Sequence, residues 1–290
     1  MVADRDKMFK FLIVLFLSDS MEKFQTFEEF RAEAEKIMYE AKQIGIPLKL
    51  MGGAAIRIHC PNSEELYSKL GRIPGHDLDF ASSQKYAKKI KEMFKGLGYF
   101  SYSSPAFNIS PQSKYRQIYV DKDGNQVADV FLNRFIMCHT IEFEKRLGID
   151  DYTLPLAELL LQKLQIVEIN EKDVKDIIIL LREHEVGEDD NETVNSEYLA
   201  KILSGDWGFY FTTTTNLQKT RDLIRSYGES GLLDKADQAV VNSRMDLLIQ
   251  KIEDEPKSLK WKLRSRVGTS KQWYEKVEEV KRDHLQNYTP

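Results

Sequence analysis

The stretch Lys49-Leu50-Met51-Gly52-Gly53-Ala54-Ala55-Ile56-Arg57, followed by His76-Asp77-Leu78-Asp79-Phe80, decides how this chain reads. Residues 48–51 make a short buried strand that ends on paired glycines. Without a Cβ, the backbone at Gly52 and Gly53 admits close approach of a phosphate, and the helix that follows opens there with its N–H groups free. Asp77 and Asp79 are two residues apart on a second strand, where side chains alternate, so both carboxylates share one face. Side by side they repel unless a cation lies between them, and Mg²⁺ is the natural hard cation for such oxygens.

Upstream, Phe27, Phe30, Ala34, Ile37, Met38 and Ala41 recur at helical spacing, and Thr26 with Glu29 predicts a capping box. Gly45-Ile46-Pro47 ends that helix. Downstream, residues 63–70 read as a short helix and residues 83–97 as a longer one, closed by Gly98. Residues 99–104 look extended. Residues 115–120 and 126–132 alternate around Asp121-Lys122-Asp123-Gly124-Asn125, a hairpin turn. The second arm, Val127-Ala128-Asp129-Val130-Phe131-Leu132, is an apolar run broken by one acid. Beside the Asp77/Asp79 strand, Asp129 completes a carboxylate cluster able to hold two Mg²⁺ ions, one on an incoming triphosphate and one on an attacking hydroxyl. On a half-buried strand facing solvent it does neither.

Beyond Pro155 strand signals nearly vanish. Residues 156–169, 173–183, 198–203, 217–227, 235–252 and 271–285 read as helices, residues 183–192 as an acidic linker, and residues 207–215 as a turn between helices. The expected class is α+β. A small mixed sheet with helices occupies residues 1–150, including N-terminal helices, and an α-helical region occupies 151–290.

With 42% hydrophobic and 30% charged residues, the 290-residue chain is globular, not disordered. A net charge of −4 gives no global attraction to nucleic acid. The two cysteines, Cys60 and Cys138, lack metal-ligand spacing and do not suggest a disulfide-built secreted domain, so the cytosol is the expected compartment, with no membrane partner. Lys7 and Lys10 before Phe11-Leu12-Ile13-Val14-Leu15-Phe16-Leu17 have the outline of a signal peptide, but Asp19 spoils the cleavage region. A buried helix, or a true start at Met21, is the preferred reading.

Gly52-Gly53, Asp77-Leu78-Asp79 and Asp129 resemble, in order, the motifs of the DNA polymerase β-like nucleotidyltransferase superfamily. The resemblance implies a small mixed sheet with helices and transfer of a nucleoside monophosphate from an NTP to a hydroxyl. The segment "LAELLLQKLQIVEINEKDVKDIIILL" at 156–181 is similar to the helical segment of the AbiEii-type branch, the toxin half of type IV toxin–antitoxin pairs. That likeness implies triphosphate contact by Lys163, a further acid from Lys172-Asp173-x-x-Asp176, and a cognate antitoxin as partner. The 23 residues between Gly53 and Asp77 exceed the superfamily's usual spacing and imply a segment looping out through Pro61 to Pro74.

The resulting expectation is a Mg²⁺-dependent nucleotidyltransferase. Asp77, Asp79 and Asp129 ligate metal, and together with Asp176 they make up the catalytic set. Gly52, Gly53, Arg57 and Lys163 hold the nucleotide, and the acceptor is a tRNA end, a protein hydroxyl or a small molecule. Asp173 reads as a helix-start dipole partner. Arg57 faces either a phosphate or a surface carboxylate, and Lys163 either a phosphate or, snorkelling, the solvent. Arg72 is a candidate phosphate contact, His76 a candidate base or sugar contact. Lys114 and Arg116 either steer a triphosphate or solvate a strand edge. Six basic residues without an acid across 257–271, with Trp261 among them and Trp273-Tyr274 following, suggest either single-stranded nucleic-acid binding or a solvated face over buried tryptophans. The competing functional reading is a non-catalytic nucleotide-binding or regulatory module on the same scaffold.

Overall fold

The computed structural model describes residues 26–72, 78–103, 107–108 and 111–277. Its first element is helix α1 (Phe27–Gln43), whose start carries the expected capping box: Thr26 and Glu29 each accept the other's backbone N–H. Its apolar stripe, Phe30, Ala34, Ile37 and Ala41, is buried. Strand β1 (Lys49–Leu50) runs directly into α2 (Gly52–His59). Pro61 opens a tight turn that leads into α3 (Glu64–Lys69). Then follow β2 (Leu78–Ser82), α4 (Ala87–Gly96), β3 (Phe100–Ser101), β4 (Arg116–Val120) and β5 (Gln126–Leu132).

These strands form one five-stranded sheet in the order β1-β2-β5-β4-β3. The central pair, β2 and β5, is parallel and the other pairings are antiparallel. The β4–β5 turn is held by Asp121, whose Oδ1 accepts the N–H groups of Asp123 and Asn125 at 2.9 Å each. Leu78, Phe80, Ala128, Val130 and Tyr119 share one face by register. There Phe94 of α4 stacks on Tyr119 at 3.8 Å, and Gln117 donates to the Ala87 carbonyl. Asp79, Asp129 and Ile118 line up across the opposite face.

After β5 the left-handed Asn133 (φ 66°) turns the chain into a hairpin of β6 (Arg134–Ile136) and β7 (Thr140–Glu142), which the sequence patterning did not suggest. Residues 152–154 then run beside β1, with Leu50 bonded to both Tyr152 and Leu154. Helix α5 (Leu156–Leu164) follows with all nine residues buried. Around it pack α6 (Glu171–Glu183), α7 (Ser196–Gly205), α8 (Trp207–Glu229), α9 (Lys235–Asp254) and α10 (Leu259–Val267). The protein is thus α+β, with a small mixed sheet followed by a largely helical second half. Among the described residues the main apolar core runs from Phe30 through the sheet and α5 to Ile252, and a smaller cluster gathers Tyr102, Phe107, Ile118 and Val120.

Three local expectations differ. Residues 207–215, read as a turn, are the first turns of α8: Asp206 caps it, and Thr212, Thr214 and Thr215 return their hydroxyls to carbonyls four residues back. The acidic stretch after Glu183 contains β8 (Val186–Gly187), paired in parallel with β9 (Val194–Asn195). Residues 271–277, expected to begin a helix, do not form one, and the rest of that segment lies outside the described residues, as do residues 1–20. No helix among the described residues is long and apolar enough to cross a membrane.

Candidate active site

Asp79 on β2 is directly opposite Asp129 on β5. In-register residues of neighbouring parallel strands present side chains to the same face, so the two carboxylates lie side by side. Asp77, one alternation earlier, lies outside the described residues. Asp129 is buried: Arg116 of β4 forms an ion pair with its Oδ2, and Gln126 donates to that oxygen at 3.1 Å. Its Oδ1 is buried with no hydrogen-bond partner. Burial raises the Asp129 pKa above the ordinary carboxylate value, outweighing the opposing pull of Arg116 and Gln126.

The paired glycines sit against these acids. Gly52 adopts φ +71°, and a methyl group placed on it would stand 2.7 Å from Asp79 Oδ2. Only a glycine combines that backbone with that closeness. The preceding Met51 N–H donates to the Asp79 carbonyl at 2.9 Å, locking the start of α2 to β2. A methyl on Gly53 would meet the Arg72 guanidinium at 2.7 Å and Asp176 Oδ2 at 3.2 Å.

Asp176 is fully buried on α6. Arg72 grips it with two hydrogen bonds, at 2.7 and 2.9 Å, and Lys163 of α5 reaches its Oδ2 at 2.9 Å. Lys163 also donates to Asp173 at 2.8 Å. Two carboxylates are therefore matched by two cations. Burial opposes the charged form of Asp176, but Lys163 and Arg72 outweigh it and hold the pKa below the usual value. Burial likewise acts to lower the Lys163 pKa, and Asp176 and Asp173 reverse this, leaving it raised. Asp173 sits in the first turn of α6, where the dipole reading put it, and the cap is Asn170, whose side chain accepts the Asp173 N–H.

No protein-family model and no curated protein matches the chain. Among solved structures, it is similar to the solution structure of the antibiotic-resistance factor ANT(2'')-Ia. The TM-score is 0.35 at 12% identity, covering 59% of this chain and 91% of that one. A score that low leaves function to be argued from the residues themselves.

Asp79, Asp129, Gly52, Gly53, Asp176 and Lys163 thus converge through direct contacts and register. Arg57 does not join them: it pairs with Glu64 at 2.7 Å and lies over the rings of Phe27 and Tyr67. Lys163 faces carboxylates in place of the solvent that its snorkelling reading required. Arg116 belongs to the acidic face, not to a solvated edge, and Lys114 lies over the Tyr115 ring. His76 lies outside the described residues. The sequence reading missed Gln162, whose Oε1 accepts the Gly52 N–H at 2.9 Å. Its signal was a polar side chain in a helix otherwise built for burial.

Among the described residues no group of three His, Cys, Asp or Glu side chains stands ready to hold a metal. The donors still fit a hard divalent cation. Two carboxylates are adjacent in register, and one oxygen of Asp129 is buried and unpartnered. The basic C-terminal stretch departs from the stacking arrangement. Trp261 packs edge-on to Tyr210, and Trp273 packs on Phe211 while donating its indole N–H to Thr212.

Proposed function

We propose that the chain is a metal-dependent nucleotidyltransferase, moving a nucleoside monophosphate from an NTP to a hydroxyl acceptor. The observation that carries this reading is the pairing of Asp79 with Asp129 across parallel strands, with Gly52 packed against the Asp79 carboxylate at a helix start. Asp79, Asp129 and Asp77 are the residues that would hold Mg²⁺, which when bound neutralises triphosphate charge and acidifies a hydroxyl. The start of α2 at Gly52-Gly53 offers backbone N–H groups and a favourable dipole to phosphate oxygens. In the reaction the acceptor oxygen bonds to the α-phosphorus, the bond to pyrophosphate breaks, and the hydroxyl proton goes to a base. Asp129, whose Oδ1 is buried without a partner, is the group proposed to take it when it does not hold the metal.

The finer likeness, to the AbiEii-type branch, draws on Lys163 and the Asp173/Asp176 pair, which are joined through buried ion pairs. For the nucleotidyltransferase reading the acceptor is a tRNA end, a protein hydroxyl or a small molecule, and the branch likeness adds a cognate antitoxin as partner. One observation favours a second reading, a nucleotide-binding module without turnover. Arg116 already supplies the positive charge at Asp129 that a metal otherwise brings.

The deciding experiment incubates the protein and Asp79→Asn with each α-³²P-NTP, Mg²⁺, and a total tRNA and protein extract. Label transferred by the parent chain and lost in the variant supports transfer. NTP binding without label in any fraction supports the module. Neither binding nor label sinks both.

A further inference from the structure

Gln162 lies on α5 immediately before Lys163 and is 4% exposed. A backbone N–H can be met only by the oxygen of an amide, so the bond from Gly52 fixes which end of Gln162 faces it. The nitrogen, Nε2, is the end left over, and it is buried with no hydrogen-bond partner. An unmet buried donor is costly, and a ligand or an ordered water completes the bonding at such a place.

Its position says which ligand. The same amide holds the first residue of α2, an eight-residue helix whose following N–H groups have no acceptor within the helix. It also holds that residue in the left-handed turn that sets it against Asp79. A molecule meeting the helix start and the spare amide together must carry several acceptor oxygens and negative charge. A polyphosphate does.

We propose that Gln162 is a further residue of the nucleotide site: Oε1 keeps Gly52 in its turn, and Nε2 donates to a phosphate oxygen of the bound NTP. This rests on the nucleotidyltransferase reading above.

The test compares the parent chain with Gln162→Met and Gln162→Glu. Affinity is measured for the four NTPs with Mg²⁺ and for inorganic tripolyphosphate, beside thermal melting. Gln162→Glu keeps an oxygen for Gly52 and so keeps the fold if Gln162→Met loses it. The expected result is that the parent chain binds and both variants bind about 10-fold or more weaker, tripolyphosphate included, with each variant still melting cooperatively. Unchanged affinity in Gln162→Met overturns the proposal. So does parent-like affinity in Gln162→Glu, which leaves Gln162 only a support for Gly52. A parent chain that binds no NTP and no tripolyphosphate fails at the earlier step and overturns the nucleotide reading with it.

Discussion

Gly52 is the residue on which backbone and chemistry meet. A side chain there would have to accept φ +71° and displace the Asp79 carboxylate, 2.7 Å from where its first carbon would stand. Gly52→Ala is expected to cost roughly 1–2 kcal/mol for the backbone alone, with a further loss of nucleotide affinity as Asp79 shifts. Urea unfolding and NTP binding measured on the same preparation separate the two. The ion-pair cluster behind it behaves differently. Lys163 serves two buried acids, so Lys163→Met leaves Asp173 and Asp176 short of a cation, and a loss of about 3–5 kcal/mol is expected. Little or no change in the urea midpoint would mean that the acids find relief elsewhere. The sequence singled out Lys163 and Asp176 but not their relation. That relation follows from α5 lying against α6, a packing that no spacing along the chain encodes.

At the scale of elements, strand β5 was legible because one acid in an apolar run has few places to go. Asp79 and Asp129 were legible as separate acids, and their register became visible only in the sheet. The β6–β7 hairpin escaped notice because each strand has only three residues, too short for alternation to register. The first turns of α8 escaped because β-branched threonines disfavour a helix until their hydroxyls find carbonyls within it. That junction has a consequence for acid stability. His139, between β6 and β7, stacks on Phe209 at 4.8 Å and bonds Thr212 at 2.8 Å, and burial lowers its pKa to about 4. Below an unfolded value of about 6.5, the unfolded chain takes up a proton that the folded chain refuses, so stability falls as pH drops through that window. The loss approaches about 3 kcal/mol by pH 4. Urea midpoints at pH 7 and pH 5 should differ less in His139→Phe than in the parent chain. Equal differences would assign the acid sensitivity to other groups.

On the scale of the molecule, a sheet bearing acids on one face is closed off by a helical half that shares its core. The tryptophans of the basic C-terminal stretch help to build that half. Trp273 lies on Phe211, and its carbonyl occupies the space a side chain at Gly208 would need. Trp273→Ala should therefore lower the melting temperature and leave any nucleic-acid affinity unchanged. The reverse pattern, weaker binding at constant stability, would restore a stacking role. What the sequence did not reveal at this scale is charge balance. Arg72, 104 residues from Asp176, and Arg116, on the hairpin arm beside Asp129, pair with those acids and set the electrostatic state in which a nucleotide would arrive.

The most direct measurement is equilibrium binding of an NTP with and without Mn²⁺, by calorimetry, on the parent chain, Asp79→Asn and Asp129→Asn. A metal and nucleotide site at the Asp79–Asp129 pair predicts binding that requires the metal, with a bound-metal signal that is weakened or lost in each variant. Binding that is the same with and without Mn²⁺, or that both variants retain in full, would contradict it.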